Sequence, residues 1–406
     1  MRVLNVLLSS TAIGATLTLA APSSHQKQVP LVAVAVPSSD ALDPFSAEFE
    51  AKKLQGFRLI KTSEAEPPSW CHFGQILELY QENIKFIDVT DQDLESVASL
   101  APPKRYDIPD KPRHAKVVEP FLANISTGDM EAWLTKFTSF KTRYYQSETG
   151  KQSAEWLHTQ VLTVAGAADR SRLRLRVSQF EHDWPQPSIL VRIEDAEMEA
   201  ATAEELPAVI VSAHQDSTNQ WNPWWGAAPG ADDDGSGSAT IFEAYRVLVS
   251  GGFRPIRPIE FHWYAAEEGG LLGSQKVVAD YKRRGVPVSG VFHADMTGYT
   301  PKDKVEVIGI ATDNVDEDLE EFVRELVTVY NPTTKIIDTS CGYGCSDHAS
   351  WTKGGFPAAF TFETDFKSSS PYIHSVNDVV ENIDFNHMAK FTRLAIAFAV
   401  ELSYTE

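Results

Sequence analysis

Cysteine is scarce in this chain of 406 residues, where only Cys71, Cys341 and Cys345 occur. No second CxxC-like pair exists, so a cysteine zinc finger ranks far behind a simpler reading. In that reading the two cysteines of the CGYGC run close a small loop in an oxidising compartment. Positive charge is also short: 36 Lys and Arg stand against 56 Asp and Glu, a formal charge of −20. Such a balance argues against a polyanionic partner, whether nucleic acid or an anionic membrane surface. Past the N-terminus no uninterrupted apolar stretch reaches the roughly 20 residues that a membrane-spanning helix needs. HExxH and GxSxG are both absent, which removes one common metal-site motif and weakens a serine-nucleophile elbow.

What is present begins with Met1-Arg2, an uncharged stretch over residues 3–19, and Ala20-Ala21. A basic start, an apolar run and small residues form the pattern of a cleaved secretory signal, placed here at residues 1–20. A membrane anchor is the rival, but Asn5, Ser9, Ser10, Thr11 and Gly14 dilute a run that is already short. The mature protein is therefore expected outside the cell and off the membrane. Residues 21–88 read as a propeptide, with an end that could reach 116. Its apolar bursts are broken by Pro37, Pro44, Pro67 and Pro68, and Cys71 lies in this part as the odd cysteine. The stretch APPKRYDIPDKPRHAK has prolines and charges without any period, as an exposed cleavage zone would. The alternative is a small accessory domain that stays attached. Residues 89–406 are expected to form one large domain, and 43% hydrophobic content suits a folded protein. Asn124-Ile125-Ser126 is a glycosylation sequon, with Asn124 as acceptor.

From there the pattern is regular. Helical spacing marks residues 128–140 and 150–164, and later 236–249, 270–284, 315–330 and 385–404. Residues 173–180 alternate as a strand with one wet face; 188–193, 207–213, 259–265 and 288–294 follow as strands. The last three are mostly apolar, which suits burial on both faces. This alternation predicts a three-layer α/β/α sandwich around a mixed, mostly parallel sheet, with sites beyond the carboxyl ends of its strands.

Several of those ends carry polar clusters. VIVSAHQDS delivers His214 and Asp216, a spacing at which the carboxylate can hold the imidazole and free its other nitrogen for a metal. PGADDDGSGS places Asp232, Asp233 and Asp234 at a helix entrance, where like charges repel unless cations neutralise them. An N-cap in a solvated turn would account for one of the three. FHWYAAEEGGLLGS ends in Glu267 and Glu268, of which one can bind metal while the other moves protons. An acidic first helical turn is the plainer alternative. VFHADMTGY adds Asp295, and PYIHSVND adds His374. Each alone has even odds of being structural, but their joint placement at successive strand ends points to a site. Two histidines with three carboxylates suit zinc, and a shared carboxylate would allow two ions about 3.5–4 Å apart.

The ordered motifs HQDS, PGADDDGSG, AAEEGGLLGS, HADMTGY, CGYGCSDHASW and IHSVND resemble those of the secreted dizinc leucine aminopeptidases of fungi and their bacterial relatives. The likeness runs from Gly128 to the C-terminus, and the signal and proline-rich region resemble the pre- and pro-segments of the fungal members. It implies a zinc-exopeptidase fold and two Zn2+ per chain. His214, Asp233, Glu268, Asp295 and His374 would be the ligands, with Asp233 bridging and the Asp233-Asp234 bond cis. Glu267 would be the general base, Asp216 the group orienting His214, and Tyr343 a neighbour of the substrate carbonyl. Cys341 and Cys345 would form the family's short disulfide. Met296, Ile308, Phe362 and Phe366 match an apolar pocket for the first side chain. One departure is Ser369, which stands where the bacterial relative has an aromatic pocket residue.

The implied activity is hydrolysis of the N-terminal peptide bond of peptides and proteins, with leucine and other hydrophobic first residues preferred. Glu267 would take the proton of the attacking water and pass it to the departing amine. Implied partners are substrates with a free N-terminal amine and a processing protease for the propeptide; a monomer is expected. Glutaminyl cyclase, an acyltransferase similar in fold, is the nearest rival, but it works with one zinc and five ligands are complete here. A carboxypeptidase would need an Arg or Lys for the terminal carboxylate, which the motifs do not supply. A non-enzymatic ectodomain would be expected to have lost a ligand or Glu267.

Overall fold

Strands buried on both faces need cover on both, and the chain provides it with helices packed above and below one eight-stranded sheet. The computed structural model describes residues 46–405 apart from 92 and 303. The signal segment 1–20 and residues 21–45 of the propeptide lie outside the described residues.

A small sheet comes first. β1 (Arg58–Lys61), β2 (Ser69–Cys71) and β3 (Ile87–Asp88) pair antiparallel in the order β2-β1-β3. Helices Ala47–Leu54 and Phe73–Gln81 accompany it. The segment has apolar clusters of its own, one around Phe49, Leu59 and Trp70 and another around Ile60, Leu79 and Phe86. Sequence patterning placed no element here, because strands of two to four residues are too short to display alternation. The contacts run past position 88: Arg58 pairs with Asp88 at 2.7 Å and with Asp91 at 3.1 Å. Cys71 is a buried free thiol in this unit.

The main sheet comprises β4 (Leu173–Phe180), β5 (Ser188–Asp195), β6 (Ala208–His214), β7 (Ile259–Tyr264), β8 (Val288–Ala294), β9 (Val307–Ala311), β10 (Lys335–Thr339) and β11 (Ala358–Phe362). Their order is β10-β9-β11-β8-β6-β7-β5-β4. β6 runs parallel to both β7 and β8, β8 to β11 and β9 to β10; β4–β5, β5–β7 and β9–β11 are antiparallel. The expected sandwich is therefore present. Sequence reading anticipated β4 to β8 and missed β9 to β11, whose five residues each do not separate a strand from other buried segments.

One face is covered by helices Thr127–Phe137, Glu148–Ala167, Gly235–Ser250, Glu317–Tyr330 and Phe385–Ser403, which contribute Phe137, Val161, Ile241, Leu326 and Phe398 to the largest core cluster. Helices Leu272–Arg284 and His348–Lys353 cover the other with Val277, Val278 and Trp351. No helix among the described residues is long and apolar enough to cross a membrane. Asn124 is exposed just beyond helix Ala115–Leu122, its side-chain amide donating to Pro120 O at 2.8 Å. Because β8, β6 and β7 are adjacent and parallel, their carboxyl ends open side by side, which is where polar residues can converge without breaking the core.

Candidate metal centre

His214 is the last residue of β6; Asp295 follows β8; Glu267 and Glu268 follow β7 after Ala265 and Ala266. Asp232, Asp233 and Asp234 lead into helix Gly235–Ser250, which starts close against β8. A Cβ on Gly237 would stand 2.3 Å from Ala294 O and 2.4 Å from the Asp234 carboxylate, so only glycine permits that approach. The Asp233-Asp234 peptide bond is cis. Ala266, Met296 and His374 all have left-handed backbone, with φ of 59°, 59° and 55°. Residues with a Cβ adopt it at a cost, and it persists where surrounding structure holds it, often at functional sites.

These elements bring five side chains to one buried place. Asp233 Oδ1 lies 3.3 Å from His214 Nε2, and Asp295 Oδ1 lies 3.5 Å from that same nitrogen. The second oxygen, Asp233 Oδ2, lies 2.9 Å from His374 Nε2, and Glu268 Oε2 is 3.2 Å from it. Two triads result, His214–Asp233–Asp295 and Asp233–Glu268–His374, each able to hold a metal ion and sharing Asp233. The facing atoms, both imidazole Nε2, both Asp233 oxygens and Asp295 Oδ1, have no hydrogen-bond partner. Buried polar atoms left so are costly, and nitrogen and oxygen donors converging without thiolates fit zinc. Glu267 Oε2, likewise without a hydrogen-bond partner among the described residues, stands 4.0 Å from His214 Nε2 and 3.9 Å from Lys85 Nζ.

Electrostatics separates the acids. Burial opposes ionisation of Asp233, yet Lys85 and the two histidines outweigh it and hold its carboxyl well below the usual range. Burial, with the nearby Glu268 and Asp295 charges, pushes Glu267 well above that range against the pull of Lys85 and His214.

The frame around these five residues was partly invisible in the sequence. Of the three adjacent aspartates only Asp233 faces the triads. Asp234 caps its helix through Gly237 N at 2.8 Å and also accepts from His214 N at 3.1 Å and Met296 N at 3.0 Å. Asp232 accepts from Gly298 N at 3.1 Å. Cation neutralisation would thus account for one of these acids, and backbone N–H groups engage the other two. Asp216 lies 3.4 Å from His214 Nδ1, and its two oxygens also accept from Glu267 N and Glu268 N at 3.0 and 3.1 Å. Asp378, inside the IHSVND run but given no role there, accepts from Asp232 N at 2.9 Å and Asp233 N at 3.1 Å. Arg143 is fully buried and donates to the carbonyls of Gln215, Pro229 and Gly230, joining the His214 and Asp233 loops. No sequence motif surrounds Arg143; its role arises from the third dimension.

Met296, Phe362 and Phe366 come together as expected, with the Phe362 and Phe366 ring centroids 4.2 Å apart. Ile308 does not join them. Side chains alternate along β9, so Ile308 and Ile310 enter the main core while Ala311 turns to the Met296 cluster. Ala311 and Phe360 take the place expected for Ile308. Ser369 stays beside Phe366, its hydroxyl donating to Phe366 O at 3.0 Å. Cys341 and Cys345 are joined as a disulfide, and Tyr343 between them lines the cleft with Glu267, Glu268 and His374. The same cleft is lined by Tyr80, Asn83 and Lys85 from the small N-terminal unit, residues that sequence reading assigned no role.

Comparison with known proteins agrees with this geometry. Residues 196–399 match Peptidase family M28. The chain is similar to leucine aminopeptidase 1 of Chaetomium globosum, 40% identical over 349 residues that cover 83% of each chain. It is also similar to leucine aminopeptidase 1 of Coccidioides posadasii, 38% identical over 389 residues, 93% of this chain and 98% of that one. Among solved structures it resembles the LapA aminopeptidase of Legionella pneumophila, with a TM-score of 0.73, 31% identity, and coverage of 86% of this chain and 94% of that one.

Proposed function

The chain belongs to peptidase family M28 and is an aminopeptidase, and from that premise we propose that it is a secreted enzyme working with two zinc ions on hydrophobic N-terminal residues. The observation that carries the two-ion reading is Asp233, whose oxygens face different partners: Oδ1 toward His214 and Asp295, Oδ2 toward His374 and Glu268. These five residues would hold the ions with Asp233 between them, and zinc bound there would supply an acidified water and a Lewis acid for the scissile carbonyl.

The remaining tasks fall to the chain's own groups. Glu267 takes a proton from the attacking water and returns it to the departing amine, a role that its place beside Glu268 yet outside both triads leaves open to it. Asp216 fixes Glu267 and Glu268 through their backbone N–H groups while standing beside His214. Tyr343 donates to the carbonyl oxygen as negative charge develops on it. Met296, Phe362 and Phe366 receive the first side chain, which favours leucine and other apolar residues. The residue 1–20 pattern and the Cys341–Cys345 disulfide support secretion. Residues 21–88 serve as a propeptide removed by a processing protease, and the enzyme acts as a monomer on peptides and proteins.

A free amine should be obligatory, because the acidic cluster complements a charged or lone-pair-bearing terminus and an acyl cap supplies neither. The processed chain should cleave leucine-anilide at least on the order of 10³-fold faster than N-acetyl-leucine-anilide, the scale of an unpaired buried charge. Equal rates on the two substrates would overturn the exopeptidase reading.

A further inference from the structure

Helices Thr127–Phe137, Glu148–Ala167 and Gly235–Ser250 leave a groove of about 390 Å³ between them, which shares no residue with the two triads. Its walls are aromatic: the Trp133 ring centroid lies 5.0 Å from that of Phe242 and 5.1 Å from that of Trp156. Trp133 is only 8% exposed, yet its indole N–H has no hydrogen-bond partner among the described residues. A buried N–H left so is costly, and buried tryptophans ordinarily find a partner for it. The rim carries Asp129, Lys136, Glu243 and Arg246, whose charges cancel. An occupant that suits this lining has an apolar face for the rings, hydroxyls for the indole and the rim, and no net charge. A pyranose sugar meets all three conditions, and the volume lies in the range of small-molecule sites, about 300–1,000 Å³.

The chain has a sugar acceptor at the edge of this groove. Arg246 Nη2 donates to Asn124 O at 2.9 Å, and Glu243 Oε1 accepts from Ser126 N at 2.7 Å. Both ends of the Asn124-Ile125-Ser126 sequon are thus bonded to the rim, and Asn124 itself is exposed. We propose that the groove seats the core of an N-glycan carried by Asn124, with its first N-acetylglucosamines against Trp133 and Trp156. This rests on the secretion proposed above, since such glycans are added along that route. Attachment joins Asn124 Nδ2 to the anomeric carbon of a lipid-pyrophosphate-linked oligosaccharide. The lipid pyrophosphate leaves and one amide hydrogen departs as a proton. The other hydrogen stays on Nδ2, which donates to Pro120 O at 2.8 Å.

The test uses the full chain secreted from a eukaryotic host and has two readouts. Glycopeptide mass spectrometry should find Asn124 occupied. An endoglycosidase that cuts between the two core N-acetylglucosamines is then applied to the native chain. Release should be at least about five-fold faster from Trp156→Ala and from Lys136→Ala than from wild type, the scale of one lost aromatic or polar contact. Lys136 is exposed, so its replacement leaves the core intact and keeps the test open if Trp156→Ala does not fold. A secreted chain with Asn124 bare would overturn the proposal. A dimer that Trp156→Ala dissolves would give the groove to a second copy and overturn it as well. Release rates that coincide would sink the seat but leave secretion standing, because a glycan on Asn124 reports passage along the secretory route by itself.

Discussion

Glu267→Gln in the processed chain is expected to lower kcat for leucine-anilide by on the order of 10²–10⁴-fold, the usual contribution of a positioned general base. KM should stay within a few-fold, and zinc content should match wild type. The separation follows from geometry. Glu267 Oε2 lies 4.0 Å from His214 Nε2, whereas the Asp233 and Asp295 oxygens approach that nitrogen to 3.3 and 3.5 Å. Glu267 also stands outside both triads. Its backbone remains fixed by Asp216 whatever the side chain, so an amide of the same shape removes proton transfer and little else. A near-normal kcat would move the base elsewhere.

Asp233→Ala should have the larger effect. Both triads depend on that one carboxylate, so the variant loses a ligand from each. Zinc bound per chain should fall below that of wild type, and turnover should drop by on the order of 10³–10⁵-fold, what several kcal/mol of lost charge stabilisation is worth. In metal-free buffer Asp233 is still paired with His214 and His374 at 3.3 and 2.9 Å, so the zinc-stripped variant is expected to melt no higher than zinc-stripped wild type. Added zinc should then stabilise wild type, by about 2.7 kcal/mol at a hundred times Kd, and the variant much less. Paired thermal melts with and without zinc check both halves; an equal response to zinc would sink the bridging role.

Sequence reading reached the chemistry more easily than its frame. The residues of the two triads were visible because strands such as β6, buried at every position, end abruptly in residues that do not belong in a core. Ile308 was misplaced for the opposite reason. Nothing in VIGIA distinguishes the two faces of β9, and alternation sends Ile308 inward and Ala311 to the Met296 cluster. The DDD run displayed a problem, three like charges, but not its division: one acid turns to the triads while two accept N–H bonds from His214 at the end of β6 and from Met296 and Gly298 just past β8. Arg143 and Lys85 carry no local signal at all. Both act on residues more than seventy positions away, and only the folded chain brings them within reach.

The central claim is a pair of metal ions sharing Asp233, and a zinc titration tests it most directly. The processed chain is stripped with a chelator, zinc is returned stepwise, and bound metal and leucine-anilide hydrolysis are followed in the same sample. Hydrolysis should vanish on stripping and return with zinc, reaching full activity as binding saturates at two ions per chain. Saturation at one ion with full activity, or hydrolysis that survives stripping, would contradict the account.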